Sequence, residues 1–171
     1  MTAEDSPPHR SNARVWELAL LAAIALAVRL PHLGSATPTY DEFYHLLAAR
    51  GWLASGSFHI GDGYYDRALL YTRIVAESLR AFGDTMVAGR IPAVLAGTLW
   101  AVAVFAWTKR KGGAVAAWFA GMLLAVDPGA IHLSQWVRFY TLHGLLVWIG
   151  AICVYALVTE PFRLRRAASR W

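Results

Sequence analysis

One cysteine in 171 residues, Cys153, excludes a disulfide scaffold; it lies inside an apolar run and reads as a small core residue. Only 16% of the residues are charged, and neither a charged-flank heptad nor a G-X-Y period occurs, which removes coiled coil, collagen and wholesale disorder. The chain also lacks an internal repeat, a P-loop, a GxGxxG turn, a CxxC pair and a GxSxG elbow.

What is present is grease. Hydrophobic residues make up 57% of the chain and the mean hydropathy is +0.41, too apolar for an ordinary water-soluble domain of this size. The net charge of +5 is not gathered into one basic stripe, as nucleic acid would require. Lys109, Arg110 and Lys111 fall between two apolar runs, and Arg163, Arg165, Arg166 and Arg170 follow the last one. Short basic clusters flanking apolar runs mark membrane crossings, so no nucleic-acid partner is expected and the bilayer is.

Crossing about 30 Å of hydrocarbon takes roughly 20 helical residues. Four segments reach that length with charges only near their ends: 15–33, 91–108, 114–133 and 139–158. The expected fold is therefore all-α, a polytopic membrane protein with about four transmembrane helices. Glu17 and Arg29 in the first segment are expected to reach the interface by snorkelling. Pro92 falls in the first turn of the second, where a missing N–H costs little. Asp127-Pro128-Gly129 should end the third early.

Nine Lys and Arg lie on the side holding both ends and the Lys109 to Lys111 turn, against six on the other, so both termini are expected in the cytoplasm. Residues 1–14 read as a disordered cytoplasmic tail and 159–171 as a basic one. A cleaved signal peptide is the competing reading of the first segment, with Gly34-Ser35-Ala36 as its site, but Arg29, Pro31 and His32 intervene.

The outward loop 34–90 is too polar to cross a bilayer and too long to be a turn. Leu46, Leu47, Trp52 and Leu53 behind Asp41 and Glu42 predict an amphipathic interfacial helix starting around Asp41 and ended by Gly51, Gly56 and Ser57. A second, about 67–82, sets Leu70, Ile74 and Phe82 against Arg73, Glu77 and Arg80, and Gly83-Asp84 closes it.

Candidate chemistry clusters on this outer side. Adjacent Asp41 and Glu42 can act as a general base, hold a divalent cation or cap a helix. His45, one turn after Asp41, is either a metal or acceptor contact or an interfacial histidine. Arg138, beside Trp136, Phe139 and Tyr140, is either a fork for a lipid phosphate or an interfacial anchor. Asp62 and Asp66, flanking Tyr64-Tyr65, are loop acids that could touch an acceptor, and Asp127 is a helix terminator.

The order of these features resembles the N-terminal part of the glycosyltransferase C superfamily: Arg29-Leu30-Pro31 ending the first span, outward Asp41-Glu42 then Tyr44-His45, Arg90-Ile91-Pro92 entering the second, and Ser134-Gln135 before Arg138-Phe139-Tyr140. The nearest likeness is to the protein mannosyltransferase and aminoarabinose transferase type, and it covers about residues 15–158. It implies an integral membrane enzyme that passes a sugar from a polyprenyl-phosphate donor to a protein or glycolipid acceptor on the outer face. Asp41, with Glu42 beside it, would serve the acceptor. Arg138 and Tyr140 would meet the donor phosphate, and His45 and Asp66 an acceptor or a metal. Inversion at the anomeric carbon is implied by the likeness alone. No cofactor is required by these residues; a divalent metal is left open.

Two departures from the type stand out. Its members have many more spans, so the chain reads as an N-terminal fragment, and Asp66-Arg67-Ala68-Leu69 replaces a stretch that is proline-rich in many relatives. The competing reading is a non-catalytic four-span membrane subunit or remnant whose outward loop binds a partner. The acids would then be helix caps.

Overall fold

The computed structural model describes residues 9–168, with side chains from 15 to 159. Six helices follow one another: α1 (His9–Arg29), α2 (Tyr40–Ser55), α3 (Leu69–Phe82), α4 (Met86–Val126), α5 (Pro128–Ser134) and α6 (Tyr140–Ala168). Between α2 and α3 a small antiparallel hairpin pairs β1 (His59–Ile60) with β2 (Gly63–Tyr64). The all-helical expectation holds apart from this hairpin, which no alternation in the sequence announces. Helix α1 begins at His9, inside the segment expected to be a disordered tail, and residues 1–8 lie outside the described part.

Helix α4 is a helical hairpin. Gly113 leaves helical geometry (φ 84°, ψ 179°). In a straight helix Phe105 and Gly121 would stand roughly 24 Å apart. Here a Cβ built on Gly121 would come within 3.0 Å of the Phe105 Cβ, and the Phe105 and Trp118 rings lie 5.1 Å apart. Leu21 of α1 closes on the same glycine, and Leu21, Ala25, Ala101, Phe105, Ala117 and Ala125 form one buried cluster. Small residues at such crossings let backbones approach where no water is available to drive packing.

Thr85 caps α4, its hydroxyl accepting the Ala88 N–H at 3.1 Å. The helix therefore starts earlier than the sequence suggests, and Pro92 falls in its interior rather than its first turn. A proline there strands the carbonyl four residues back. That carbonyl, Ala88 O, accepts the Ser78 hydroxyl of α3 at 2.6 Å.

Among the described residues, two helices are long and apolar enough to cross a membrane, 86–126 and 140–159, where the sequence suggests four separate spans. The second and third expected spans are the arms of the α4 hairpin. The third stops at Val126, because Asp127 caps α5 by accepting the Ala130 N–H at 2.6 Å with Pro128 following it. Large apolar side chains nonetheless cover the outside of α1, α4 and α6: Trp16, Leu99, Val115, Phe119, Val154 and Leu157 are all exposed. Soluble monomers rarely leave so much contiguous grease open to water.

Two further expectations fail for identifiable reasons. Arg29 does not snorkel: it is fully buried, giving hydrogen bonds to the Leu124 and Ala125 carbonyls (3.1 and 2.7 Å) and to Ser134 Oγ (3.1 Å). It supplies donors to carbonyls that the end of α4 would otherwise leave unpaired. Helix α3 presents Tyr71, Val75, Ala76 and Leu79 to the core and leaves Leu70, Ile74 and Phe82, the apolar face expected at the interface, exposed. Helix α2, for its part, runs through Gly51 and ends at Gly56 (φ 75°). Gly51 is needed for space instead, since a Cβ there would stand 2.4 Å from the His59 carbonyl oxygen.

Candidate functional site

Helix α2 is entered from Thr39, an extended residue whose N–H is accepted by Glu42 Oε1 at 3.0 Å, the return half of a capping box. Consecutive helix positions point about 100° apart, so the two acids cannot share an environment. Glu42 turns inward and is fully buried. Arg90 meets it with both ends of its fork, Nε to Oε2 and Nη2 to Oε1, each at 3.0 Å. The Val137 N–H adds a third donor at 2.8 Å, and Arg90 Nη1 reaches the Leu33 carbonyl at 2.7 Å. Burial pushes the Glu42 carboxyl up, but the bonds from Arg90, Thr39 and Val137 and the Arg90 charge outweigh it and hold it below the usual carboxylate value. Glu42 thus ties the start of α2, the entry to α4 and the 135–139 junction together, and offers no oxygen to a cavity.

Asp41 turns outward. Its Oδ2 lies 3.4 Å from Arg138 Nη1, with the carboxylate side chain mostly exposed and the arginine mostly covered. Arg138 Nη2 donates to the Tyr140 hydroxyl at 2.8 Å, and its guanidinium stands 5.0 Å from the centre of that ring. Because Glu42 accepts from Val137, one helix start fixes both Asp41 and the residue adjoining Arg138.

Asp41 and Arg138 line a cavity of about 920 Å³, whereas Tyr140, expected beside the donor phosphate, touches Arg138 but is not part of the wall. Asp41, Tyr44, Tyr65, Arg67 and Arg138 make one part of its wall polar. Leu70, Leu142 and Leu146 make another part apolar, the last two from α6. Polar groups that fix orientation beside an apolar wall are the usual make-up of a ligand cleft. Tyr65, Arg67 and Tyr71 escape the sequence reading, although the Tyr64-Tyr65 pair between Asp62 and Asp66 is a visible signal.

His45 is buried under this wall. Its Nδ1 lies 2.9 Å from Thr72 Oγ1 and its Nε2 3.3 Å from the Tyr65 hydroxyl. Burial, helped by the Arg138 charge and opposed by Asp41, lowers its pKa to about 4, so the ring is neutral. Both nitrogens have protein partners where the sequence suggests a metal or acceptor contact, and the ring is not part of the cavity wall, which Tyr65 lines. Asp66 is exposed and outside the cavity wall. Among the described residues no group of three or more His, Cys, Asp or Glu is placed to hold a metal ion.

The chain is similar to a polyprenol-phosphate-mannose protein mannosyltransferase of Corynebacterium glutamicum, 29% identical over 178 residues. The match takes in 93% of this chain and 33% of the relative, so the chain spans about a third of the length of the curated protein it matches. No family model and no solved structure matches it. The match supports a glycosyltransferase-like relationship for the helical, apolar chain described above.

Proposed function

We propose that the chain is the site-bearing part of an integral membrane glycosyltransferase that takes a sugar from a polyprenyl-phosphate donor and passes it to a protein or glycolipid acceptor on the outer face. The observation that carries this reading is the Asp41–Arg138 pair at the edge of a cavity with an apolar α6 wall. A long-chain lipid phosphate has the matching chemistry. In the step, Asp41 takes the proton of the acceptor hydroxyl as its oxygen bonds to the anomeric carbon. The bond from that carbon to the phosphate oxygen breaks, and the lipid phosphate leaves as an anion toward Arg138. Positive charge fixed where an anion develops lowers the barrier directly.

Glu42 is then a positioning residue, because its oxygens are already occupied by Arg90, Thr39 and Val137. Both ends of the four-span arrangement lie in the cytoplasm and loop 34–90 lies outside, in keeping with the excess of Lys and Arg on the short inner flanks. The mannosyltransferase likeness supports the donor class. The test is donor choice in membranes containing the protein: label in the sugar of polyprenyl-phosphate mannose should reach an acceptor. Label passing directly from a nucleotide sugar, with lipid-linked sugar synthesis blocked, would overturn the reading.

A further inference from the structure

Two polar atoms near the cavity are buried and have no hydrogen-bond partner: the Tyr71 hydroxyl and Arg138 Nε, and both residues line the cavity wall. Tyr71 is 1% exposed, its ring held edge-on to His45 at 5.3 Å between centroids. The Arg138 backbone N–H lies beside its oxygen without reaching hydrogen-bond geometry, and the hydroxyl proton has no acceptor. An orphaned buried hydroxyl is destabilising, so it calls for an explanation other than packing, which a phenylalanine would serve as well.

We infer that the Tyr71 hydroxyl is a ligand-binding group, a neutral donor that acts with Arg138 on one anionic oxygen of a phosphate ester held in the cavity. Arg138 is held by Asp41 and Tyr140 through Nη1 and Nη2, so its Nε remains for the ligand. Burial, with the Glu42 charge added, raises the Tyr71 pKa, which keeps the phenol protonated and able to donate at any working pH. The inference rests on the proposed donor class and adds a recognition residue from α3 to a site otherwise built from α2 and the 138–140 junction.

The experiment compares the wild-type chain with Tyr71→Phe, purified in lipid nanodiscs and titrated with two probes, a sugar-free long-chain polyprenyl phosphate and the matching neutral polyprenol. Tyr71→Phe should bind the phosphate about 10- to 100-fold more weakly, the range for a hydrogen bond to a charged group, and bind the polyprenol unchanged. Its melting temperature without ligand should equal or exceed that of wild type, since a partnerless hydroxyl is removed and the ring stays. Equal phosphate affinity overturns the inference, as does equal weakening toward both probes. A lowered melting temperature overturns it too, by showing a structural role for the hydroxyl. A wild-type chain that fails to bind the phosphate overturns both this inference and the proposed donor. Loss of phosphate binding in Tyr71→Phe, with no sugar transfer by wild type, overturns the transferase reading alone.

Discussion

Both oxygens of Glu42 lie 3.0 Å from nitrogens of Arg90, 48 positions later in the chain, with neither side chain exposed. Removing one partner of a buried pair strands the other charge, at a cost of about 3–5 kcal/mol. Glu42→Ala should therefore lower the unfolding free energy by that amount. Asp41→Asn, one residue away on the surface, should change it by less than about 0.5 kcal/mol. Denaturant or thermal unfolding of the two variants in the same detergent checks the contrast.

Acid should weaken the fold in two stages. Unfolded, His45 takes up a proton near 6.5; folded, only near 4. Between those values the unfolded state binds more protons, so stability falls as pH drops from 6.5 toward 4, by at most about 3 kcal/mol. Glu42 acts lower: its contribution is fully present above the unfolded value of 4.5 and is lost as pH falls through its depressed folded value. Melting temperatures measured from pH 8 to pH 4 should show the upper slope in wild type and lose it in His45→Gln. A slope unchanged by that substitution would contradict a neutral buried His45.

The Ser78 hydroxyl and Pro92 form a compensating pair. Ser78→Ala should cost about 1–3 kcal/mol, because Ala88 O loses its donor. Pro92→Ala restores a backbone N–H to the same carbonyl, so the double variant should be less harmed than Ser78→Ala alone. A double-mutant cycle on unfolding free energies measures the coupling, and simple additivity would contradict this account.

With Cys153→Ser as background, Asp62→Cys in the exposed hairpin turn should react with a membrane-impermeant maleimide added to intact cells. Labelling only after the membrane is permeabilised would reverse the proposed orientation.

Helices α2 and α3 are legible because acids followed by periodic leucines, and a terminal Gly83, are local signals with local causes. The break at Asp127-Pro128 is legible for the same reason. What is hidden depends on distant partners. Which of Asp41 and Glu42 faces the cavity is decided by Arg90, 48 positions away, and the fate of Arg29 by carbonyls at Leu124 and Ala125. Tyr71 carries no signal in the sequence, and only its burial without a hydrogen-bond partner sets it apart. The closeness of Asp41 and Arg138 is suggested by the shared side the sequence gives them, but their 3.4 Å approach goes with the Glu42 bond to Val137, which no local signal announces.

The proposed transfer requires Asp41 to do chemistry rather than cap a helix. The most direct measurement is the rate of sugar transfer from a saturating polyprenyl-phosphate donor in membranes bearing wild type or Asp41→Asn at matched amounts. Loss of a general base predicts a fall of about 10²- to 10⁴-fold with the fold intact. A rate within about twofold of wild type, given that loss of a base costs at least about a hundredfold, would show that Asp41 is not the base.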